Sequence, residues 1–344
     1  MALDKLIFED ELFVENWEEY VSQSKQRGVV AVLKEHFLSL MFPIRKGISE
    51  DDDYRAATRR GIVPERKTSA SGLQLQASQR IELFLHETDV GRIPVIKCGE
   101  RRDFLTLVRA LAMKNEPLPL PRSVSAFYLG NLVNWGRIWD YRSRWRENNP
   151  TGVWGLEFQA LLERQELHRD KLILVCETPY SNVPSCKAGL SDEQWQELSF
   201  VIRLEHESTH YLLKRCTGNS GGTLQSELIA DFAGLTRAFG VFSADLFLLF
   251  MGMEDYPRLR RGGRLGYYRG AVSSGSDDDK VMQANLRSAA YNLQNSDLSR
   301  QISHDRKQKV ALLMAMSELS LEELASPEGI SIIQGRAEKY LHPG

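Results

Sequence analysis

Cysteine is scarce and patternless. Four residues (Cys98, Cys176, Cys186 and Cys216) stand far apart with no C-x-x-C among them. That excludes a disulfide framework and a thiolate zinc cage, and it fits a reducing compartment. Long apolar runs are missing too: the most apolar stretch, Val241 to Met253, contains Asp245 and falls short of the roughly 20 residues that cross a bilayer. It reads as a buried helix. No charge of one sign dominates, since 44 Lys and Arg stand against 46 Asp and Glu. A net charge of -2 gives no global field that would draw the chain to nucleic acid or to an anionic membrane. The start, Met1 to Glu11, is acidic and lacks the basic and apolar regions of a secretory signal, so a cytoplasmic location is expected.

What remains is the profile of a soluble globular chain: 344 residues, 42% hydrophobic and 26% charged, enough for one large domain or two modest ones. Pro117-Leu118-Pro119-Leu120-Pro121 can continue neither a helix nor a central strand. It suggests a boundary between a mainly helical region, 1–120, and a second region, 121–344. The first 40 residues show apolar positions at helical spacing. Ser49 is a plausible helix cap before the acidic run Glu50 to Asp53, and Asp103 can cap a helix with Phe104, Leu107, Val108 and Leu111 on one face. Arg92 to Lys97 reads as a short strand, and Lys171 to Glu177 is the strongest strand signal. Helical patterns near 280–295 and 305–325 follow. The fold expected is α+β, mostly helical, with a small sheet.

The chemistry concentrates in one stretch. Ser191 followed by Gln194 forms a capping box that opens a helix running into His206-Glu207-Ser208-Thr209-His210. Residues four apart share a helix face, so His206 and His210 can offer two imidazole nitrogens to one metal ion. Glu207, one position round, can reach a water rather than the ion. A catalytic zinc site takes a third protein ligand and keeps one position open. Downstream, Ser226-Glu227-Leu228-Ile229-Ala230-Asp231-Phe232-Ala233-Gly234 supplies it: Ser226 is a natural cap, and Glu227 and Asp231 share a face. Ala230 and Gly234 allow close approach to the first helix, while Gly218, Gly221 and Gly222 let the two helices fold back antiparallel. Glu227 is the expected third ligand, and Asp231 the acceptor for the ring N–H of a ligating histidine.

The pair H-E-S-T-H and S-E-L-I-A-D-F-A-G resembles the gluzincin branch of the zincin metallopeptidases, the thermolysin-like group. The resemblance implies a zincin-like pair of helices, zinc held by His206, His210 and Glu227, Glu207 as general base and Asp231 behind a histidine. It covers about 35 residues. Other segments, F-P-I-R-K-G-I-S, R-D-F-L-T-L-V-R-A-L, K-N-E-P and N-W-G-R-I, resemble an uncharacterised bacterial family that shares the metal motif. Ser226 stands where the gluzincins usually carry Asn, and their N-A-x-W edge-strand motif is missing. The gluzincins stabilise the oxyanion with a downstream His or Tyr, for which Tyr267, Tyr268 and His304 are the candidates.

The expected function is therefore zinc-dependent hydrolysis, with a peptide, a protein or a small amide as substrate. The rivals are an amidohydrolase or tailoring enzyme acting on a small molecule, and a binding or regulatory module with a vestigial metal site. Arg258, Arg260, Arg261, Arg264 and Arg269, interleaved with Tyr256, Tyr267 and Tyr268, read as a solvated loop, an anion clamp near the metal or, least favoured, a nucleic-acid contact. Asp277-Asp278-Asp279 reads as a helix cap. Cys216 reads as a buried thiol or a supplementary ligand.

Overall fold

The computed structural model describes residues 9–64, 72–218 and 221–342, apart from the His304 side chain. Most of the N-terminal segment on which the leaderless reading rests, Met1 to Phe8, lies outside them. The fold is α+β and mostly helical. Four strands, β1 (Ile81–Thr88), β2 (Gly91–Cys98), β3 (Ala126–Val133) and β4 (Arg169–Cys176), form one sheet in the order β1-β2-β4-β3. The β1–β2 and β3–β4 pairs are antiparallel, whereas β2 and β4 run parallel with Val95 opposite Ile173. β3 is an outer strand.

The main helices are α1 (Val14–Arg27), α2 (Arg101–Ala112), α3 (Trp135–Asn148), α4 (Asp192–Thr217), α5 (Leu224–Phe239), α6 (Ala244–Met251), α7 (Asp277–Gln294), α8 (Leu298–His304), α9 (Arg306–Ser317) and α10 (Gly329–Leu341). Side chains alternate across a strand, so each central strand supplies two cores. Ile93, Val95, Ile173 and Val175 meet α4 and α5, with α7, α9 and α10 behind them. Ile96, Cys98, Leu172, Leu174 and Cys176 meet Trp17 of α1 and Phe104, Leu107 and Val108 of α2. Asp170 joins the sheet to the second of these layers. Fully buried at the start of β4, it accepts from Trp17 Nε1 at 2.9 Å, Asn134 Nδ2 at 2.7 Å and Arg137 Nη1 at 2.7 Å.

Several local readings shift. Asp51 rather than Ser49 caps the helix Asp52–Arg60, because its carboxylate accepts from the Asp53 and Tyr54 amides. Glu100 stands at the cap position of α2, and Asp103 instead receives the amides of Gln76 and Ala77 at 2.7 and 2.8 Å. Ser276 caps α7, while Asp279 is buried and pairs with Arg269 at 3.0 Å. The proline-rich segment connects α2 to β3, and the strands on its two sides, β1 and β2 before it and β3 and β4 after it, pair in one sheet. Residues 241–253 hold α6, whose Ala244 and Phe247 to Met251 are buried, while Val241 and Asp245 stay exposed. No helix among the described residues is long and apolar enough to cross a membrane.

Candidate metal centre

α4 opens on the expected capping box: Ser191 Oγ accepts from the Gln194 amide, and the Gln194 side chain accepts from the Ser191 amide. α5 begins one turn before the expected cap. Thr223, in an extended conformation, receives the Ser226 amide, and Ser226 answers as the partner in a second reciprocal box. Ser226 is thus inside the helix, and Glu227 still falls in its first turn. The two helices touch closely at Gly234, where a Cβ would lie 2.8 Å from the Ile202 carbonyl oxygen.

That approach brings three donors together. His206 Nε2 is 3.1 Å from His210 Nε2 and 3.4 Å from Glu227 Oε2, and His210 Nε2 is 3.3 Å from Glu227 Oε1. All three side chains are buried. Ligands about 2.0–2.2 Å from a tetrahedral ion lie about 3.3–3.6 Å from one another, so these separations suit a zinc-sized ion. His206 Nδ1 donates to Asp231 Oδ1 at 2.8 Å, which orients the ring with its Nε2 edge toward His210 and Glu227. Burial opposes a charge on His206, yet Asp231 and Glu227 outweigh it and raise its pKa to about 10. Burial also works against the Glu227 and Asp231 carboxylates, but the histidines hold Glu227 well below the usual range, and Arg264 and His206 hold Asp231 low. The cluster favours positive charge at its centre. Gly221, at φ 74°, lets the connecting loop pass the ring, since a Cβ there would come within 3.0 Å of His210 Nδ1.

Around the donors is a cavity of about 60 Å³ lined by Ser123, Tyr180, Arg203, Glu207, Arg264 and Tyr268 among others. Glu207 is buried there, and burial raises its carboxyl above the ordinary value although both histidines pull it down. The Tyr128 amide of β3 also reaches it. Tyr267 and Tyr268 both line the cavity, Tyr267 half exposed and Tyr268 with its phenol pushed up by burial and by Glu227. The His304 side chain lies outside the described residues. Its neighbours Ser303 and Asp305 line a different cavity.

Sequence reasoning did not single out Tyr180 or Arg203, and it left Arg264 among five arginines. Arg264 is buried, pairing with Glu227 Oε2 at 2.8 Å and Asp231 Oδ2 at 3.1 Å, and it donates to Tyr180 Oη at 3.0 Å. Tyr180 in turn donates to Asp231 Oδ1 at 2.5 Å. Of the same arginines, Arg260 binds Glu254 and Arg269 binds Asp279, which leaves Arg258 and Arg261 on the surface. The crowding of arginine was the only signal for Arg264. Tyr180 carried none, because the hydrogen-bond partners of its phenol lie 26 to 84 residues away. Cys216 is half-buried, its thiol raised by burial, and is not in the donor cluster.

A family model matches residues 2–328, nearly the whole length. The chain belongs to a family of unknown function, DUF7005. Neither a curated protein nor a solved structure matches the chain. What can be said of this member of DUF7005 therefore comes from its own residues.

Proposed function

We propose that the protein is a zinc-dependent hydrolase of amide bonds, peptide bonds foremost. The observation that carries this reading is the convergence of His206 Nε2, His210 Nε2 and a Glu227 oxygen at 3.1 to 3.4 Å, with Glu207 in one cavity with His206 and Glu227. Two imidazoles and a carboxylate without thiolate are the donors of catalytic rather than structural zinc. Zinc bound there would polarise the scissile carbonyl and lower the pKa of water to about 7. Glu207, with its raised pKa, would take the proton of the attacking water and return it to the leaving amine. Asp231 holds His206 in one tautomer. The Tyr268 phenol, kept protonated by its burial, and Tyr267, which lines the same cavity, would donate to the oxyanion.

Support for a peptide comes from β3, which among the described residues pairs only with β4 and whose Ala126 lines the cavity. An extended chain can add to such an edge. The small volume at the donors supports a second reading, a compact amide. Both readings keep the same metal chemistry, and the scarcity of paired cysteine supports action in the cytoplasm.

Metal content of protein purified without a metal-binding tag tests the reading. About one zinc per chain is expected in wild type, lost in His206→Ala and Glu227→Ala and kept in Glu207→Gln, which should hydrolyse nothing. Wild-type protein that neither carries nor takes up zinc would overturn the hydrolase and leave a binding module.

A further inference from the structure

Three arginines are buried among the described residues, and they differ in one respect. Arg137 pairs with Asp170, and Arg264 pairs with Glu227 and Asp231. Arg203, only 1% exposed, has no carboxylate within ion-pair distance among the described residues. Its guanidinium meets neutral acceptors instead: Nε donates to Ser125 Oγ at 2.9 Å and Nη2 to the Thr178 carbonyl. Nη1 has no acceptor among the described residues. Arg101, held by the Pro121 and Val124 carbonyls, adds repulsion nearby. The Tyr180 ring lies 5.8 Å from the guanidinium and the Glu207 carboxylate stabilises its charge from within the same cavity, but neither closes on it as an ion pair. A buried cation held only this way is costly, and it leaves an anion's place open.

That place is on the wall of the candidate metal cavity. Arg203 lines it together with Ser123, Ser125, His206, Glu207 and Glu227. Ser123 Oγ is a second independent mark: the side chain is 93% buried, and its hydroxyl has no partner among the described residues. Arg203 precedes His206 by three residues on α4, so the two sites are offset by roughly 4.5 Å along the helix axis.

We infer that Arg203, with Ser123, binds the free carboxylate of the substrate, and that this carboxylate belongs to the residue on the leaving side of the scissile amide. The substrate class is then an N-acyl amino acid or the carboxy-terminal residue of a peptide. A monoanion suits the site better than a phosphate. Glu207, four residues beyond Arg203 on the same helix, and Glu227 line the same small space and would repel a second negative charge. This inference rests on the hydrolase reading for the bond that is cut, but the carboxylate site can be tested without turnover.

The test measures binding by calorimetry to Glu207→Gln, which leaves the probes intact. The probes are N-acetyl-L-alanine and acetylated alanine peptides, each as the free acid and as the carboxamide. We expect the acid to bind roughly ten- to hundredfold more tightly than its amide, as a charged hydrogen bond warrants. Adding Arg203→Gln should abolish that ratio, and adding Arg203→Lys should keep part of it, with zinc content unchanged in both. Preference for the single residue identifies an acyl amino acid; preference for the longer peptides identifies a carboxy terminus. Equal affinity for acid and amide overturns the inference, as does inorganic phosphate binding more tightly than acetate. If Arg203→Gln fails to fold by circular dichroism, the acid-to-amide ratio in Glu207→Gln and its fall in Ser123→Ala decide alone. Discrimination in protein that carries no zinc would leave the carboxylate site standing and sink the hydrolase.

Discussion

Arg264 Nη2 lies 2.8 Å from Glu227 Oε2, on the same carboxylate that faces both histidines. The guanidinium therefore competes with any metal for the charge of Glu227 while supporting that charge when no metal is there. Burial alone would strip the Glu227 and Asp231 carboxylates of much of their stability.

Replacing Arg264 with Met should expose this dual role. Without metal, two buried carboxylates lose their fixed cation, and the cost should be about 3–5 kcal/mol. Zinc supplies part of the missing charge, so the loss should shrink in saturating zinc. Paired thermal melts of wild type and Arg264→Met, each with and without zinc, read the difference. Equal destabilisation in both conditions would mean that Arg264 serves packing alone.

Asp170 organises a second buried network through Trp17, Asn134 and Arg137. Asp170→Asn removes the only negative charge facing Arg137 at ion-pair distance among the described residues. It should cost about 3–5 kcal/mol, the penalty of an unpaired buried charge. Trp17→Phe keeps the ring and loses one donor, for about 1–2 kcal/mol. Urea denaturation of the two variants and their double mutant checks the order. The double mutant should be less destabilised than the sum, since both changes act on one carboxylate.

His86 sets a pH dependence. It sits on β1 beside Lys309 and Arg237, and burial with those two cations lowers its pKa from 6.5 to about 4, against the pull of Asp89. Between those values the unfolded chain binds the proton and the folded chain does not, so acid favours unfolding. The contribution of His86 is intact above pH 6.5 and falls away as the pH drops toward 4. By pH 4.5 about 2–3 kcal/mol should be lost through this group. His86→Leu should flatten the slope of stability between pH 7 and 4.5, as read by urea titrations at each pH. An unchanged slope would place the acid sensitivity elsewhere.

The parts of the site that were legible in the sequence are those whose information is local. Ser191 and Gln194 announce the start of α4, His206 and His210 share a face by spacing, and Glu227 and Asp231 do the same on α5. β4 was legible as an apolar run between polar ends. β1 was not, because its partly buried, charge-interrupted pattern, Ile81 to Thr88, resembles neither a clean alternation nor a helix. The proline-rich segment shows a similar limit: proline marks a break in regular structure, and only tertiary pairing shows that the strands flanking it share a sheet. Arg203 and Arg264 take their meaning from contacts 25 to 84 residues away, which no local pattern carries.

Gly234 ties the packing to the chemistry. The carbonyl oxygen of Ile202 would stand 2.8 Å from a Cβ at this position, closer than any relaxed contact, so Gly234→Ala must push α5 away from α4. Overpacking of this kind costs about 1–3 kcal/mol, set against the helix propensity that Ala gains over Gly, about 1 kcal/mol. A net loss of about 1–2 kcal/mol is expected. The sharper effect should be on metal: His206 and His210 ride on α4 and Glu227 on α5, so a shift of a few tenths of an ångström widens the gap between ligands. Zinc affinity, measured by competition with a chelator, should fall about tenfold or more. Affinity unchanged in the face of lost stability would show that the cluster tolerates movement of α5, and would detach the metal site from the helix contact that Gly234 permits.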